Sequence, residues 1–387
     1  EKVLGNNQRF SINYNLLPRD VNPGEQILLD DGKLVLTVLE TDGKERIRCE
    51  VIQGGLLCSK KGVNFPNTKI SMPSLTEKDI EDLNYALKLG VDWIGLSFVR
   101  TEKCITDLKA RIAKKRSIAK VVAKIEKPEA LENIDAIIDA SDALMVARGD
   151  LGVELPPEAV PPAQKRIVET ARKLGKPVVV ATQMLESMIK APTPTRAEVS
   201  DVATAIYDGA DAVMLSAESA AGDWPEEAVS MMDRIALSVE GDKGYSARLH
   251  FTETDADPTT ADALAAAAFD ITQTVSAKAI ICYTTSGSTA RRIARERPGV
   301  PIVVLTPKMR TARETGLLWG THPVHTRDVH SFEEMVAKAK RMALRHGLAK
   351  GGDRVVVMAG VPFGTPGATN VLHVVRLTGD ELKGHKS

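Results

Sequence analysis

The sequence lacks the features that mark several classes of protein. Its formal net charge is zero, with 51 basic and 51 acidic residues among 387, so the balance gives no sign of a nucleic-acid or polybasic membrane-binding surface. No run of apolar residues approaches the roughly 20 that a membrane-spanning helix needs. We therefore expect neither a nucleic-acid partner nor a membrane partner.

Cysteine and histidine are scarce, and their positions exclude particular chemistries. Cys49, Cys58, Cys104 and Cys282 form no C-x-x-C pair and fit no zinc-binding spacing. Without a recognisable signal peptide they indicate reduced thiols, and we expect a cytoplasmic protein. Since the seven histidines begin at His250, a histidine triad or a three-histidine zinc site is excluded from the region before it.

The beginning of the chain is rich in β-forming residues. Residues 26–29 and 33–38 flank an Asp-Asp-Gly sequence at 30–32, and Asp-Gly between two such runs is a strong hairpin signal. Another strand is predicted over 46–52, and no helical period is present. We predict that residues 1–68 form a small all-β module.

From Thr76 onward, predicted helices alternate with short apolar strands. Thr76 is expected to cap a helix that ends at Gly90, and Thr195 with Glu198 predicts a capping box at the start of another. Continuous apolar strands are typical of parallel sheets that helices cover. Their spacing is that of a βαβ unit, which a doubly wound sheet and a (β/α)₈ barrel share. The five strands are predicted at residues 93–97, 121–125, 143–147, 177–181 and 212–216.

A polar stretch over residues 239–258 indicates a linker. After it the alternation of helices and strands resumes, which predicts a separate α/β domain over residues 255–378. Its helices are predicted at residues 261–274, 290–297 and 331–346, and its strands at residues 279–283, 301–305 and 354–358.

Polar residues follow four of the five strands in the middle of the chain. Lys124 and Glu126 are two residues apart in one strand and so point to the same side. The next strands end at residues 148–150, at Thr182 and at Glu218. Barrels build their active sites at the C-terminal ends of their strands, so this pattern favours a barrel over a doubly wound sheet.

The types of residue at these ends suit phosphoryl transfer. Glu126 and Asp150 can hold Mg²⁺, which takes one or two protein carboxylates and completes its shell with water and substrate oxygens. Lys124 can supply positive charge to a phosphoryl group. The alternative is a structural ion pair, such as Lys124 with Glu126. Because four neighbouring strand ends are polar, we favour a functional site.

Six longer motifs are similar to those of the pyruvate kinase family. They are KKGVNFP at 60–66, SFVR at 97–100, AKIEK at 123–127, ARGDLGVE at 147–154, ATQMLESM at 181–188 and PTRAE at 194–198. The resemblance runs from the first residues to about Leu377. It implies transfer of phosphate from phosphoenolpyruvate to ADP, a step of glycolysis.

The resemblance also implies an architecture. It gives an α/β protein with a (β/α)₈ TIM barrel, whose strands 4–8 fall within residues 69–240. Residues 1–68 would be the remainder of an inserted small β-barrel lid domain, and residues 255–378 a C-terminal three-layer α/β/α domain. The family is commonly a homotetramer, which we expect here. Since the family has further barrel strands before this point, we expect that the N-terminal part is missing from the sequence.

Site residues follow from the resemblance position by position. Glu126 and Asp150 would be the ligands of Mg²⁺ or Mn²⁺, and Lys124 would neutralise the transferring phosphoryl group and the enolate. The backbone amides of Gly149 and Asp150, with the hydroxyl of Thr182, would clamp the substrate carboxylate.

Three further residues are expected around this centre. Arg148 would orient its loop, and Ser97 would line the pocket near a K⁺ site whose other ligands fall mostly outside the sequence. Lys61 would approach the nucleotide phosphates as the lid closes. At the last strand the family usually has Ser-Gly-Glu-Thr where residues 216–219 read Ser-Ala-Glu-Ser, a change we expect to be tolerated.

An effector site is expected in the C-terminal domain. A loop rich in hydroxyl groups precedes a predicted helix, whose N-terminal amides favour an anion; simple capping by Ser286 or Ser288 is the alternative. In the family this loop and residues 360–370 resemble the pocket of a phosphorylated allosteric effector. Relatives that fructose-1,6-bisphosphate activates carry lysine at the position of Thr285, so a different phosphorylated effector is expected. The loop residues are Thr284, Thr285, Ser286, Gly287, Ser288 and Thr289.

Two other functions fit part of the pattern. An Mg²⁺-dependent aldolase or lyase that handles an enolate on a TIM barrel would share the carboxylate pair, but it would need neither Lys60 and Lys61 nor ADP. An inactive fragment or a regulatory protein is expected if the truncation is real.

Overall fold

The computed structural model describes residues 5–71, 73–242, 244–245, 249, 258–362 and 369–381. The strands are β1 (Gln26–Leu29), β2 (Leu34–Thr41), β3 (Ile47–Gln53), β4 (Val63–Asn64), β5 (Trp93–Leu96), β6 (Lys120–Ile125), β7 (Ala143–Ala147), β8 (Val178–Ala181), β9 (Ala212–Met214), β10 (Ile280–Tyr283), β11 (Ile302–Thr306), β12 (Thr321–His325), β13 (Arg354–Gly360) and β14 (Thr369–Arg376).

The helices are α1 (Leu17–Asp20), α2 (Glu77–Leu89), α3 (Glu102–Lys114), α4 (Pro128–Glu132), α5 (Ile134–Ala140), α6 (Arg148–Glu154), α7 (Val160–Lys173), α8 (Arg196–Tyr207), α9 (Ala217–Ala220), α10 (Pro225–Glu240), α11 (Thr260–Thr274), α12 (Ser288–Glu296), α13 (Met309–Thr315) and α14 (Phe332–Arg345). None of the helices in the described part of the chain is long and apolar enough to cross a membrane.

The N-terminal β-unit, residues 5–68, is a four-stranded antiparallel sheet in the order β3-β2-β1-β4. The predicted hairpin is confirmed, because Leu29 pairs with Leu34 across a turn that contains Gly32 at φ 79°. The prediction of an all-β module is wrong in one detail. The one-turn helix α1 forms at Leu17–Asp20, where Pro18 lies in the first turn and favours the helical φ angle.

The central unit contains β5 to β9, which are all parallel and lie side by side in chain order. A doubly wound sheet reverses its strand order near the middle, and these five described strands show no such reversal. The five predicted strands are present, although β9 is shorter than predicted. The parallel register brings the C-terminal ends of β5 to β8 to one edge of the sheet, which positions the residues that follow them.

Local capping signals in the central unit are confirmed. Thr76 forms a capping box with Asp79 at the start of α2, and Gly90 ends that helix in the left-handed region. Thr195 and Glu198 form the predicted capping box at the start of α8. Because these caps fix where each helix begins, they also fix the loops that join the strand ends to the helices.

The C-terminal unit is a five-stranded sheet in the order β12-β11-β10-β13-β14, with β14 antiparallel to its neighbour. Alternate residues of each strand face opposite layers of helices. Ile280 belongs to an apolar core with Ile293 of α12, whereas Ile281 packs in a second core with Met335 of α14. The unit therefore has three layers, as expected. Most of the predicted linker over 239–258 lies outside the described residues.

Candidate active site

Three side chains meet where β5 and β6 end. Lys124 Nζ donates a hydrogen bond to Ser97 Oγ over 2.8 Å and lies 2.5 Å from Glu126 Oε1. The other carboxylate oxygen of Glu126 accepts a hydrogen bond of 2.6 Å from the backbone N–H of Phe98. These hydrogen bonds join residues that are 27 positions apart (Ser97 and Lys124) and 28 positions apart (Phe98 and Glu126) at one edge of the sheet.

The Glu126 carboxylate is suited to hold a cation. Its side chain is 1% exposed, and Oε1 accepts no hydrogen bond but lies 2.5 Å from the ammonium group of Lys124. A buried carboxylate oxygen without a hydrogen bond is costly unless a cation balances it. Lys124 balances this charge, and the oxygens of Glu126, with those of Asp150 in the neighbouring cleft, are the type of ligand that a hard divalent cation such as Mg²⁺ or Mn²⁺ takes.

Asp150 lies in the first turn of α6 and lines the same cleft as Ser97 and Phe98. Its carboxylate has no ion-pair or hydrogen-bond partner among the described residues. Within that part of the chain no three His, Cys, Asp or Glu side chains converge. A metal at this place would thus have Glu126 and Asp150 as protein ligands, with water and substrate completing its shell, which is usual for Mg²⁺.

Arg148 stabilises the loop after β8 through hydrogen bonds. Thr182 and Gln183 both have positive φ angles, 70° and 55°, which non-glycine residues rarely adopt. Arg148 Nη2 donates to the carbonyl oxygens of both, over 2.9 and 3.4 Å. Asp201 of α8 balances the charge of Arg148 through a 2.6 Å contact. The guanidinium therefore stabilises a strained turn instead of pointing into the cleft.

The groups predicted to clamp a carboxylate contact one another. The backbone N–H of Gly149 donates to Thr182 Oγ1 over 2.6 Å, and that hydroxyl donates to the carbonyl oxygen of Ala181 over 2.6 Å. A Cβ atom at position 149 would lie 3.5 Å from the Thr182 side chain. A bound carboxylate would have to replace the bond between Gly149 and Thr182.

Lys61 lies across the cleft from these residues, on the N-terminal β-unit. Its Nζ is 2.9 Å from Asp30 Oδ1. The hydrogen bond to Asp30 raises the pKa of Lys61, and the same bond lowers the pKa of Asp30. One cleft of about 1550 Å³ is lined by Lys61, Ser97 and Asp150. Lys124 lies behind this lining and donates a hydrogen bond to Ser97.

The polar end of β9 has a structural explanation. Both oxygens of Glu218, which is 2% exposed, accept backbone hydrogen bonds, one from Leu185 over 3.1 Å and one from Ser216 over 2.7 Å. Its carboxylate joins the loops after β8 and β9, so we do not include it in the candidate site.

Sequence reasoning missed the residues that support the site. Asp201 balances Arg148, and Glu154 binds both Asn64 and Lys127. Glu154, Asn64 and Lys127 lie inside the quoted motifs, which was the available signal for them. No local pattern identified Asp201, which stands on α8 three residues after the capping box.

The loop 284–289 forms a compact turn before α12. Thr284 Oγ1 accepts a hydrogen bond from the Gly287 N–H over 2.9 Å, and Ser286 Oγ donates to Ser288 Oγ over 3.1 Å. The N-cap of α12 is Gly287, and no side chain caps the helix, so the alternative of capping by a serine is wrong. Thr289 is hydrogen-bonded to Thr369. Residues 363–368 of the second predicted loop lie outside the described residues.

Two family models match the chain. The model for pyruvate kinase, barrel domain, matches residues 1–229, and that for pyruvate kinase, alpha/beta domain, matches residues 262–375. A pyruvate kinase of Methylorubrum extorquens is 49% identical over 391 residues, which cover 97% of this chain and 81% of that relative. One of Agrobacterium vitis is 47% identical over 92% of this chain and 73% of its own length. One of Staphylococcus aureus is 42% identical over 98% of this chain, which spans 65% of that relative.

Proposed function

The chain belongs to the pyruvate kinase family, and on that premise we propose that it transfers the phosphoryl group of phosphoenolpyruvate to ADP, giving pyruvate and ATP. The observation that carries the proposal is the meeting of Lys124 with the buried carboxylate of Glu126 beside the cleft that Asp150 lines. Phosphoryl transfer requires mainly positioning and neutralisation of charge, and these groups supply both.

Each group at the strand ends has a part in the proposed reaction. An oxygen of the ADP β-phosphate attacks the phosphorus while the bond from phosphorus to the enol oxygen breaks. Lys124 holds its ammonium group against the charge that develops on the phosphoryl oxygens and on the enolate. Glu126 and Asp150 would hold Mg²⁺ or Mn²⁺, which neutralises phosphate charge when bound. Protonation of the enolate carbon then gives pyruvate.

The loop residues would bind the carboxylate of phosphoenolpyruvate. The amides of Gly149 and Asp150 and the hydroxyl of Thr182 are the proposed donors, and Arg148 holds the turn at Thr182 in its strained conformation. The bond between Gly149 and Thr182 supports this reading, since it keeps both groups in one place until substrate replaces it.

We propose that residues 1–68 act as a lid over a barrel that spans residues 69–240, with residues 255–378 as a regulatory domain. Closure would bring Lys61 to the nucleotide phosphates and exclude water. The family resemblance is the support for an eight-stranded barrel, for a closed β-barrel lid, for K⁺ near Ser97, and for a cytoplasmic homotetramer.

A phosphorylated effector is proposed at residues 284–289. The first amides of α12 receive no side-chain acceptor, which leaves them available to an anion. The absence of lysine at Thr285 favours a sugar monophosphate or a nucleotide over a bisphosphate. Activity measured at subsaturating phosphoenolpyruvate, with each class added in turn, tests this. Activation by none of them would remove the effector site from the proposal.

A coupled assay with lactate dehydrogenase tests the main proposal. With phosphoenolpyruvate, ADP, Mg²⁺ and K⁺, we expect turnover that requires ADP and the metal. Glu126→Gln and Asp150→Asn should abolish it, whereas the exposed Glu158→Gln serves as the matched control. Pyruvate formed by C–C cleavage without ADP would support the aldolase or lyase instead, and no turnover from the full-length protein would overturn both.

A further inference from the structure

One buried carboxylate joins three parts of the molecule. Glu154, the last residue of α6, has a side chain that is 1% exposed. Its Oε1 accepts hydrogen bonds from Asn64 Nδ2 over 3.0 Å and from Lys127 Nζ over 2.5 Å. Asn64 belongs to β4 of the N-terminal β-unit, and Lys127 follows β6 of the central unit. The carboxylate therefore links the β-unit to the strand that carries Glu126.

Other contacts place the same junction against α6. A Cβ atom at Gly32, in the tip of the first hairpin, would lie 3.9 Å from the side chain of Val153. The hydrogen bond between Asn64 and Glu154 spans 90 positions of the sequence. The β-unit thus rests on the end of α6, and Glu154 is the polar contact at that place.

The junction is connected to both halves of the proposed reaction. Lys127 is adjacent to Glu126 in the chain, and its Nζ lies 6.0 Å from the centre of the Phe98 ring. The backbone N–H of Phe98 donates a hydrogen bond to Glu126. On the other side, Lys61 is three residues before Asn64, which limits their separation to about 11 Å. Movement at Glu154 would therefore alter where Lys61 lies relative to the metal carboxylate.

The burial of charge here calls for an explanation beyond stability. Oε2 of Glu154 is buried without a hydrogen-bond partner, and a buried ion pair contributes no more to stability than a well-packed apolar pair of similar volume. A hydrogen-bonded charge pair does, however, fix one relative orientation of the groups it joins, because its geometry is directional. An apolar contact permits sliding.

We propose that Glu154 is a positioning residue that fixes the orientation of the N-terminal β-unit relative to the active site. It thereby determines where Lys61 contacts the phosphates of ADP. The proposal rests on the proposed function. It predicts that loss of the hydrogen bond between Asn64 and Glu154, which we call the anchor, affects the use of ADP more than the use of phosphoenolpyruvate. The reason is that the groups proposed to bind the substrate carboxylate lie on the central unit alone.

Asn64→Ala is the main test, with Asn67→Ala as the matched control, because Asn67 lies in the same segment but is exposed. The first variant keeps the ion pair between Glu154 and Lys127, so the fold should persist. Loss of a hydrogen bond to a charged group corresponds to a fall of roughly tenfold or more. We expect that fall in kcat/KM for ADP, with KM for phosphoenolpyruvate within about twofold of wild type and Asn67→Ala unchanged.

Glu154→Gln keeps an acceptor for Asn64 but removes the charge opposite Lys127. Combined with Asn64→Ala it should lower kcat/KM for ADP by less than the product of the two single effects, because both changes act through one contact. Equal losses for both substrates, a fully multiplicative pair of effects, or an Asn64→Ala variant that behaves like Asn67→Ala would each overturn the positioning role.

Hydrogen exchange separates this proposal from the proposed function. In the free protein, amides 60–65 should exchange faster in Asn64→Ala than in wild type, and Asn67→Ala should not change them. If wild type shows no turnover but exchange changes as expected, the anchor stands and the kinase function fails. Unchanged exchange in active protein removes the anchor alone.

Discussion

Arg297 and Asp211 form a buried ion pair between the C-terminal unit and the central unit. Arg297 Nη1 lies 3.1 Å from Asp211 Oδ1, and their side chains are 2% and 6% exposed. Asp211 also accepts a hydrogen bond from the backbone N–H of Val178 over 3.0 Å, and Arg297 Nη2 donates to the carbonyl oxygen of Gly209 over 2.7 Å. The pair lies where β8 and β9 begin, at the opposite end of the sheet from the candidate active site.

Arg297→Met should destabilise the contact between the two units. It leaves the Asp211 carboxylate buried without its cation, a change that costs about 3–5 kcal/mol in proteins. We expect a lower midpoint of unfolding in urea, followed by circular dichroism, and a partial recovery when Asp211→Asn is added. Arg345→Met, at an exposed position on α14, is the control. A midpoint for Arg297→Met equal to that of the control would contradict the structural role of the pair.

Lys124→Met should lower kcat by about 100- to 1000-fold, the range found when one preorganised group that stabilises developing charge is removed. Binding of Mg²⁺ and phosphoenolpyruvate should persist, because the variant retains Glu126, Asp150 and the loop after β8. Steady-state kinetics and calorimetric binding check the two parts. Lys173→Met, on the exposed face of α7, controls for loss of a lysine. Near-normal turnover in Lys124→Met would remove that residue from the mechanism.

Local signals in the sequence predicted the elements whose cause is local. The capping box at Thr195, the hairpin at residues 30–32 and the apolar strands all depend on residues within a few positions of one another. The elements that were missed include α1 in the N-terminal β-unit and α13, β12 and β14 in the C-terminal unit. The strand β12 lies at the edge of its sheet, and its residues His322 and His325 are exposed, so it lacks a continuous apolar run.

The supporting contacts of the site depend on distant parts of the chain. Arg148 meets Asp201 across 53 positions, and Asn64 meets Glu154 across 90. Neither pair has a local pattern, because the fold alone brings its members together. The strand ends were informative for the opposite reason: a parallel sheet collects all of them at one edge, so composition at that point predicts a site before any contact is known.

Asp262 should make the stability of the C-terminal unit depend on pH. Its carboxylate, in the first turn of α11, lies 3.1 Å from Arg292 Nε and 2.9 Å from Arg295 Nη2. Burial raises the pKa of Asp262, but hydrogen bonds from Thr259 and Arg292 outweigh it and leave the pKa below its usual 3.8. The stabilisation is therefore present above the unfolded-state value and is lost as the pH falls through the lowered one.

We expect Asp262→Asn to lower the free energy of unfolding by about 3 kcal/mol at neutral pH, as for a broken buried pair. The difference from wild type should shrink as the pH falls below 3.8 and through the lowered pKa of Asp262, because the wild-type carboxylate then becomes protonated as well. Urea titrations at several pH values measure it, with the exposed Asp270→Asn as the control. A difference that stays constant while the wild-type carboxylate becomes protonated would show that the charge of Asp262 is not what holds α11 to α12.

The four free cysteines should react with a thiol reagent in an order that their surroundings set. Cys58 is exposed and lines the cleft near Lys61, whereas Cys282 is fully buried in β10, where burial raises the pKa of its thiol to about 12. Since the thiolate is the reactive form, Cys58 should be modified first and Cys282 only on unfolding. ADP with Mg²⁺ should slow the modification of Cys58 if the nucleotide lies against Lys61. Mass spectrometry of digested protein follows the modification of each site, with Cys58→Ser as the control. Rapid labelling of Cys282 in the folded protein would contradict its burial. An unchanged rate of modification at Cys58 when ADP is added would place ADP away from Lys61.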